Sequence, residues 1–167
     1  MIKIYGLDTR NNLGGSNSSD VIAASQKSVK DYVDGAVANG YKVLNTNATV
    51  SSNAVNVSTV FGGNTYHESC IQISNANDTT VTLNTLATYK NQFVLINTNT
   101  STTRNFVFNL SSLEYTSVNC MSDCVTSATQ LTFEVLARSA RVVEFEKIGN
   151  VLNVNVSDIV MATTARN

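Results

Sequence analysis

One stretch near the end of the chain decides its fold class: RVVEFEKIGNVLNVNV, residues 141–156. Apolar and polar residues alternate on both sides of Gly149 and Asn150, as expected for two strands that each bury one face. Glycine accepts a positive φ, and a Gly-Asn pair between alternating runs is typical of a tight hairpin turn. The stretch therefore predicts two adjacent antiparallel strands.

The same alternation recurs along the chain from about residue 41 onward. The clearest segments are 54–58, 71–73, 81–83, 92–96, 106–110 and 131–135. The apolar run 92–96 is typical of a strand buried on both faces. Eight or nine short strands predict a mainly β head, 41–167, folded as an antiparallel β-sandwich with a jelly-roll-like topology. No repeat of 20 to 50 residues is recognisable, which disfavours a solenoid or propeller.

Residues 19–39, within the segment 18–40, show helical periodicity instead. Ser18 to Asp20 offer N-cap side chains, and Gly40 can end the helix. A narrow seam spaced four, three, four and three residues predicts a coiled-coil stalk; its residues are Ile22, Gln26, Val29, Val33 and Ala36. Gly35 weakens an isolated helix, so the head must help to hold the chains together. The alternative is an amphipathic helix packed on its own β-domain.

The first 17 residues hold a small apolar cluster followed by a polar, glycine-containing linker. The cluster consists of Ile2, Ile4, Tyr5 and Leu7. An apolar segment separated by a flexible linker has no local core to join. It is either a frayed terminus or a peptide that docks on another protein, and the second reading predicts an anchor.

Composition and charge exclude several classes of partner. The net charge is −1, and the basic residues are scattered without the clustering that nucleic-acid binding needs. No apolar run approaches the roughly 20 residues of a membrane helix, and the N-terminus lacks the apolar core of a signal peptide. Synthesis in a cytosol, with no membrane insertion, is therefore expected. Three cysteines are an odd number, which argues against a secreted disulfide framework.

Catalytic and metal-binding patterns find little support. His67 is the one histidine, and together with Cys70, Cys120 and Cys124 it would complete a zinc-binding set. The spacing of Cys120 and Cys124 suits either a pair of metal ligands or a local disulfide, and reduced core or loop cysteines are the favoured interpretation. A Cys/His nucleophilic pair is disfavoured because residues three apart on a strand face opposite ways. Glu144 and Glu146 are interpreted as a solvated strand face. We expect no enzyme, no metal and no cofactor.

The order of these parts resembles bacteriophage virion fibre proteins. The segment SVKDYVDGAV, residues 28–37, is similar to the short stalk helices of tail and head fibres. The segment ARVVEFEKIGNV, residues 140–151, is similar to the closing hairpin of many phage fibre heads. The resemblance concerns the layout of the whole chain, and its motifs are short.

The resemblance implies a structural, homotrimeric head (capsid) fibre or decoration protein located on the virion. Residues 1–17 would anchor it to a capsid or tail protein, residues 18–40 would form the stalk, and residues 41–167 the projecting head. The alternative is a tail-fibre-type adhesin that recognises host surface glycans. Polar loops such as 62–66 would then contact the sugar, although they are equally explained as turns.

Overall fold

The computed structural model describes residues 40–120, 125–127 and 129–159. The chain divides into two units, Met1–Tyr41 and Lys42–Asn167, and every strand of the described residues belongs to the second unit. The predicted anchor and the predicted coiled-coil helix lie outside the described residues.

The described residues are mainly β, as the sequence predicts, with eleven strands and one short helix, α1 (Val57–Phe61). The strands are β1 (Val43–Asn47), β2 (Ala54–Asn56), β3 (Glu68–Asn75), β4 (Thr79–Thr82), β5 (Lys90–Asn97), β6 (Arg104–Asn109), β7 (Ser117–Cys120), β8 (Val125–Ser127), β9 (Gln130–Val135), β10 (Ala140–Ile148) and β11 (Val151–Ile159). They form a six-stranded sheet in the order β1-β3-β5-β10-β11-β7 and a five-stranded sheet in the order β2-β4-β6-β9-β8.

The first six strands alternate between the two sheets. Strands β1, β3 and β5 pair in parallel in the six-stranded sheet, and β2, β4 and β6 do so in the five-stranded sheet. Val43 pairs with Glu68, and Glu68 pairs with Lys90. The separation along the chain between the two residues of each pair lies within the range of 20–45 residues that is typical of solenoid repeats. Residues 43–110 therefore wind as three coils, each coil contributing one strand to each sheet.

The expectation that disfavours a solenoid-like arrangement is wrong for residues 43–110. The repeat is not recognisable in the sequence because few residues are shared between successive coils. Asn56, Thr82 and Asn109 occupy equivalent positions in successive coils. Each is followed by a fully buried aliphatic residue and then by a small polar one, in the segments 56–58, 82–84 and 109–111. Three residues of shared character in each coil are too few to stand out in the sequence.

The expectation of antiparallel pairing throughout the head is also wrong. Five of the nine strand pairings in the described residues are parallel. For the four parallel pairs among β1 to β6 the physical reason is the winding: each strand crosses to the other sheet, so the next strand of the same sheet runs in the same direction. The fifth parallel pair joins the edge strand β7 to β11. Antiparallel pairs join β5 to β10, β10 to β11, β6 to β9 and β8 to β9. The sheets are therefore mixed, and a jelly-roll topology is not confirmed.

The hairpin predicted around Gly149 is confirmed. Ile148 pairs with Val151, so that two residues form the turn between β10 and β11. Gly149 has a φ of 59°, a conformation that glycine adopts without the steric cost of a Cβ atom.

A cluster of phenylalanine rings joins the inner faces of the two sheets. Phe93 of the six-stranded sheet lies 5.1 Å from Phe108 of the five-stranded sheet, centroid to centroid. Phe108 also lies 5.5 Å from Phe133 and 5.1 Å from Phe145. All four side chains are fully buried, and the edge-to-face contacts of Phe108 with Phe93 and Phe133 add to the gain from burial. The two sheets therefore share one hydrophobic core.

Two buried asparagines satisfy backbone groups where strands enter and leave the core. The Asn91 side chain accepts from the Ala87 amide at 2.6 Å and donates to the Ala87 carbonyl at 3.0 Å. The Asn97 side chain is fully buried and donates to the carbonyls of Thr102 and Val135 at 2.8 and 2.9 Å. Buried peptide groups need such partners. These amides therefore fix the paths of the connecting segments.

Candidate binding surface

A polar network crosses the outer face of the six-stranded sheet. Cys70, Gln92 and Glu144 stand side by side on β3, β5 and β10 because the strand register places them in one row. The Cys70 thiol donates to Gln92 Oε1 at 3.4 Å, and Gln92 Nε2 donates to Glu144 Oε1 at 2.9 Å. Lys90 Nζ lies 3.0 Å from the same carboxylate oxygen. The network holds the Glu144 carboxylate in one orientation.

The ion pair changes the acidity of the lysine. The hydrogen bond from Lys90 to Glu144, reinforced by the negative charge of that carboxylate, raises the pKa of Lys90 above its ordinary value. Lys90 therefore stays charged at neutral pH, and its charge offsets that of Glu144.

A stacked aromatic pair lies beside the network. His67 directly precedes Glu68, and Tyr89 directly precedes Lys90, so the two rings occupy equivalent positions in successive coils. Their centroids are 5.8 Å apart with the planes at 30°. His67 Nδ1 accepts a hydrogen bond from the Lys42 amide at 2.9 Å, which orients the imidazole. The parallel winding therefore places the Tyr89 ring beside the network, and Tyr89 is 58% exposed.

A shallow recess of about 180 Å³ opens between this ring and β10. Its lining consists of Tyr89, Lys90, Glu144, Phe145, Glu146 and Asn155. Glu144 and Glu146 are two residues apart on β10 and therefore share the outer face. Asn155 stands directly opposite Glu144 on β11. The recess combines one exposed aromatic face with two carboxylates, an ammonium group and an amide.

A larger cleft of about 600 Å³ lies at the first coil, next to the edge strands β1 and β2. Its lining side chains are small, uncharged or aliphatic: Thr46, Asn47, Ala48, Thr49, Ser51, Ala54, Val55, Asn56, Thr59, Val60 and Thr82. Ser52 and Asn53, with φ of 50° and 60°, form a tight turn beside it. The cleft offers no charged group with which to orient a ligand.

The residues predicted as sites from sequence are only partly placed by the structure. The anchor residues Ile2, Ile4, Tyr5 and Leu7 and the seam residues Ile22, Gln26, Val29, Val33 and Ala36 lie outside the described residues. Among the described residues, no group of three or more His, Cys, Asp or Glu side chains is arranged to hold a metal ion.

The cysteines behave differently from one another. Cys70 is a free, half-buried thiol, as expected of a reduced core or loop cysteine. Cys120, at the end of β7, is disulfide-bonded. The favoured interpretation as a reduced cysteine is therefore wrong for this residue, and the disulfide that the sequence left open holds for it. Cys124 lies outside the described residues.

The polar loop 62–66, considered as a sugar-binding loop, has a structural explanation. Gly62 adopts the left-handed conformation and ends α1, and its amide donates to the carbonyls of Ser58 and Thr59. The Phe61 and Tyr66 rings meet edge to face at 5.2 Å across the turn. The loop therefore serves to end the helix and to return the chain to β3.

Sequence reasoning missed Tyr89 and its recess. The residues of the recess come from three segments, 89–90, 144–146 and 155, that become neighbours through the pairing of β5 with β10 and of β10 with β11. Knowledge of the parallel coil register is needed to align Tyr89 with His67. The alternation of Glu144 and Glu146 is the one local signal for the recess, and by itself it indicates a solvated strand face.

Comparison with known proteins returned no matching family model, no matching curated protein and no matching solved structure. No helix in the described part of the chain is long and apolar enough to span a membrane.

Proposed function

We propose that this chain is a structural virion protein of a bacteriophage: a homotrimeric head (capsid) fibre or decoration protein anchored through its N-terminus. The observation that carries the proposal is the division of the chain after Tyr41, which leaves a β head that begins at Lys42. This boundary agrees with the layout of anchor, stalk and head on which the resemblance to fibre proteins rests.

The chemistry of the described head supports a role in contact and display. The outward positions of the five-stranded sheet are rich in Thr, Asn and Gln, for example Thr80, Thr82, Asn105, Asn109, Gln130 and Thr132. On the opposite sheet, one oxygen of the Glu144 carboxylate is held by Gln92 and Lys90. These features suit a hydrated surface. We propose that the role is not catalytic.

In this proposal, residues 1–17 bind a capsid or tail protein and residues 18–40 form the coiled-coil stalk. The test is incorporation into particles assembled with a chain that lacks residues 1–17. The truncated chain should keep its oligomeric mass and should be absent from purified particles. A matched pair within the anchor sharpens the test, since Ile4→Asp should prevent incorporation whereas Lys3→Ala should not. Normal incorporation of the truncated chain would overturn the anchor.

The mass in solution tests the trimer. Light scattering of the full chain at micromolar concentration should give three chains per particle. In the seam, Val33→Asp should weaken assembly, whereas Lys30→Ala on the predicted outer face should leave it unchanged. A monomeric mass for the full chain would refute both the stalk and the trimer.

A second candidate function is a receptor-binding adhesin for host surface glycans. The exposed Tyr89 beside the polar recess favours it. Binding of the full chain to host cells, measured separately from particle assembly, distinguishes an adhesin from a purely structural fibre.

A further inference from the structure

The geometry points to a saccharide-binding site in the recess at Tyr89, with one neutral sugar ring lying on the tyrosine and hydrogen-bonded to Glu144, Glu146 and Asn155. This inference deepens the receptor-binding candidate by naming its site and its ligand class. It does not depend on how the chain is anchored to a particle.

The Tyr89 ring provides an apolar platform that is already oriented. It stacks on His67, and His67 is fixed in turn by the Lys42 amide. More than half of the Tyr89 surface is nevertheless exposed. A pyranose presents a face of C–H groups, and such a face packs favourably on an aromatic ring. Because the ring is held before binding, little conformational entropy is lost when a sugar is bound.

The carboxylates provide directional acceptors beside the platform. Gln92 and Lys90 orient the Glu144 carboxylate by contacts of 2.9 and 3.0 Å. Glu146 follows on the same face of β10 and is exposed. Hydrogen bonds from hydroxyl groups to carboxylates are stronger than those between neutral groups. Adjacent hydroxyls of one sugar can therefore donate to Glu144 and Glu146 together.

Asn155 completes the set of hydrogen-bonding groups. It faces Glu144 across the β10–β11 pair and is exposed. An amide both donates and accepts, so Asn155 can bind the ring oxygen or a hydroxyl of either polarity. Ligand sites typically combine an apolar surface with a few convergent polar groups of this kind.

Size and charge favour a neutral sugar over other small ligands. A recess of about 180 Å³ has room for a single pyranose ring and not for an extended chain. Two carboxylates against one lysine disfavour phosphate, sulfate or an acidic sugar. A cation attracted to the tyrosine is the main competitor. Lys90 neutralises Glu144 and occupies the space beside it, so Glu146 is the one lining carboxylate left to attract a cation, and choline tests that alternative directly.

The test is a titration of the full chain with a panel of defined probes: glucose, galactose, mannose, N-acetylglucosamine and, as the cationic competitor, choline. Saturation-transfer NMR should detect millimolar binding of at least one sugar and none of choline. Tyr89→Ala should weaken that binding by about tenfold or more, whereas Tyr89→Phe, which keeps the ring, should stay within about threefold of the original. Glu144→Gln should weaken binding less than Tyr89→Ala.

Leu136→Ala serves as the matched control, because Leu136 is 67% exposed and does not line the recess. Unchanged thermal unfolding of Tyr89→Ala would show that the variant is folded. The inference is overturned if no sugar of the panel binds, if choline binds in their place, or if Tyr89→Ala binds as the original chain does. Particle incorporation of Tyr89→Ala reports separately on the structural role, so either proposal can fail without the other.

Discussion

The described head consists of two halves that have a similar amino-acid composition but a different arrangement of strands. The coiled half, residues 43–110, contains β1 to β6 and is stacked by parallel pairing between coils. The hairpin half, residues 117–159, contains β7 to β11 and depends on the antiparallel pairs β8–β9 and β10–β11. The coiled half thus relies on partners distant in sequence, whereas the hairpin half relies largely on neighbours. The same Val, Thr and Asn composition supports both arrangements.

Neither half completes the hydrophobic core alone. Phe93 and Phe108 belong to the coiled half, and Phe133 and Phe145 to the hairpin half, yet the four rings form one cluster. The pairings β5–β10 and β6–β9 join the halves in both sheets. We therefore expect a single cooperative unfolding transition for the head, despite its two modes of construction.

The largest expected effect comes from removing the Phe108 ring, which contacts rings of both halves. Phe108→Ala should lower the free energy of unfolding by about 3–5 kcal/mol, because a fully buried aromatic side chain is replaced by a cavity. Urea denaturation followed by circular dichroism measures the loss. The exposed-site control, Leu136→Ala, should stay within about 0.5 kcal/mol of the original chain.

The shape of the Phe108→Ala transition matters as much as its midpoint. If the two halves form one cooperative unit, tyrosine fluorescence and circular dichroism should report the same midpoint. Two separate transitions would mean that one half is stable without the other, and the shared core would then not couple them.

A smaller effect is expected from the asparagine that joins the halves by hydrogen bonds. Asn97 of β5 donates to Thr102 in the coiled half and to Val135 in the hairpin half. Asn97→Ala leaves buried carbonyls without their donor and should cost about 2–3 kcal/mol. Asn119→Ala is the control, since Asn119 is exposed and its side chain donates to Asn153. Equal stability of the two variants would contradict the structural role of Asn97.

A residue that disfavours the backbone conformation of the hairpin turn should lower the free energy of unfolding by about 1–2 kcal/mol. Gly149→Val places a β-branched residue at a φ of 59°. Gly149→Asn should recover most of the loss, because asparagine tolerates the left-handed region. Thermal unfolding of the two variants compares them directly. If valine and asparagine were equally well tolerated, the turn would not constrain the β10–β11 register.

The sequence predicts the hairpin half better than the coiled half, and the reason is the range of the signals. Gly149 between two alternating runs is a local signal, and it correctly predicts the β10–β11 pair. Parallel stacking has no local signal of this strength. The run 92–96 came nearest, since apolar runs accompany central strands of parallel sheets. Its residues lie on β5, between β3 and β10, with Phe93 and Leu95 fully buried and Val94 and Ile96 half-buried.

The candidate site could not be predicted for the same reason. Tyr89, Glu144 and Asn155 carry no spacing that links them in the chain. They become neighbours only once β5 pairs with β10 and β10 with β11. The anchor and stalk, by contrast, are local patterns and remain predictions, because their residues lie outside the described part of the chain.

The smallest expected effect concerns the ion pair that connects the halves on the outer face. Lys90 belongs to the coiled half and Glu144 to the hairpin half. The hydrogen bond to Glu144 raises the pKa of Lys90, so the folded chain binds this proton more tightly than the unfolded chain. The stabilisation is therefore fully present below the ordinary lysine pKa and is lost as the pH rises through the raised value.

Because both side chains are partly exposed, at 52% and 34%, the contribution should be less than about 1 kcal/mol. Glu144→Gln should be slightly less stable than the original chain at pH 7, and the difference should shrink above about pH 10 and in 1 M salt. A difference that stays constant across that pH range would mean that the Gln92 contact, and not the lysine, connects the two halves there.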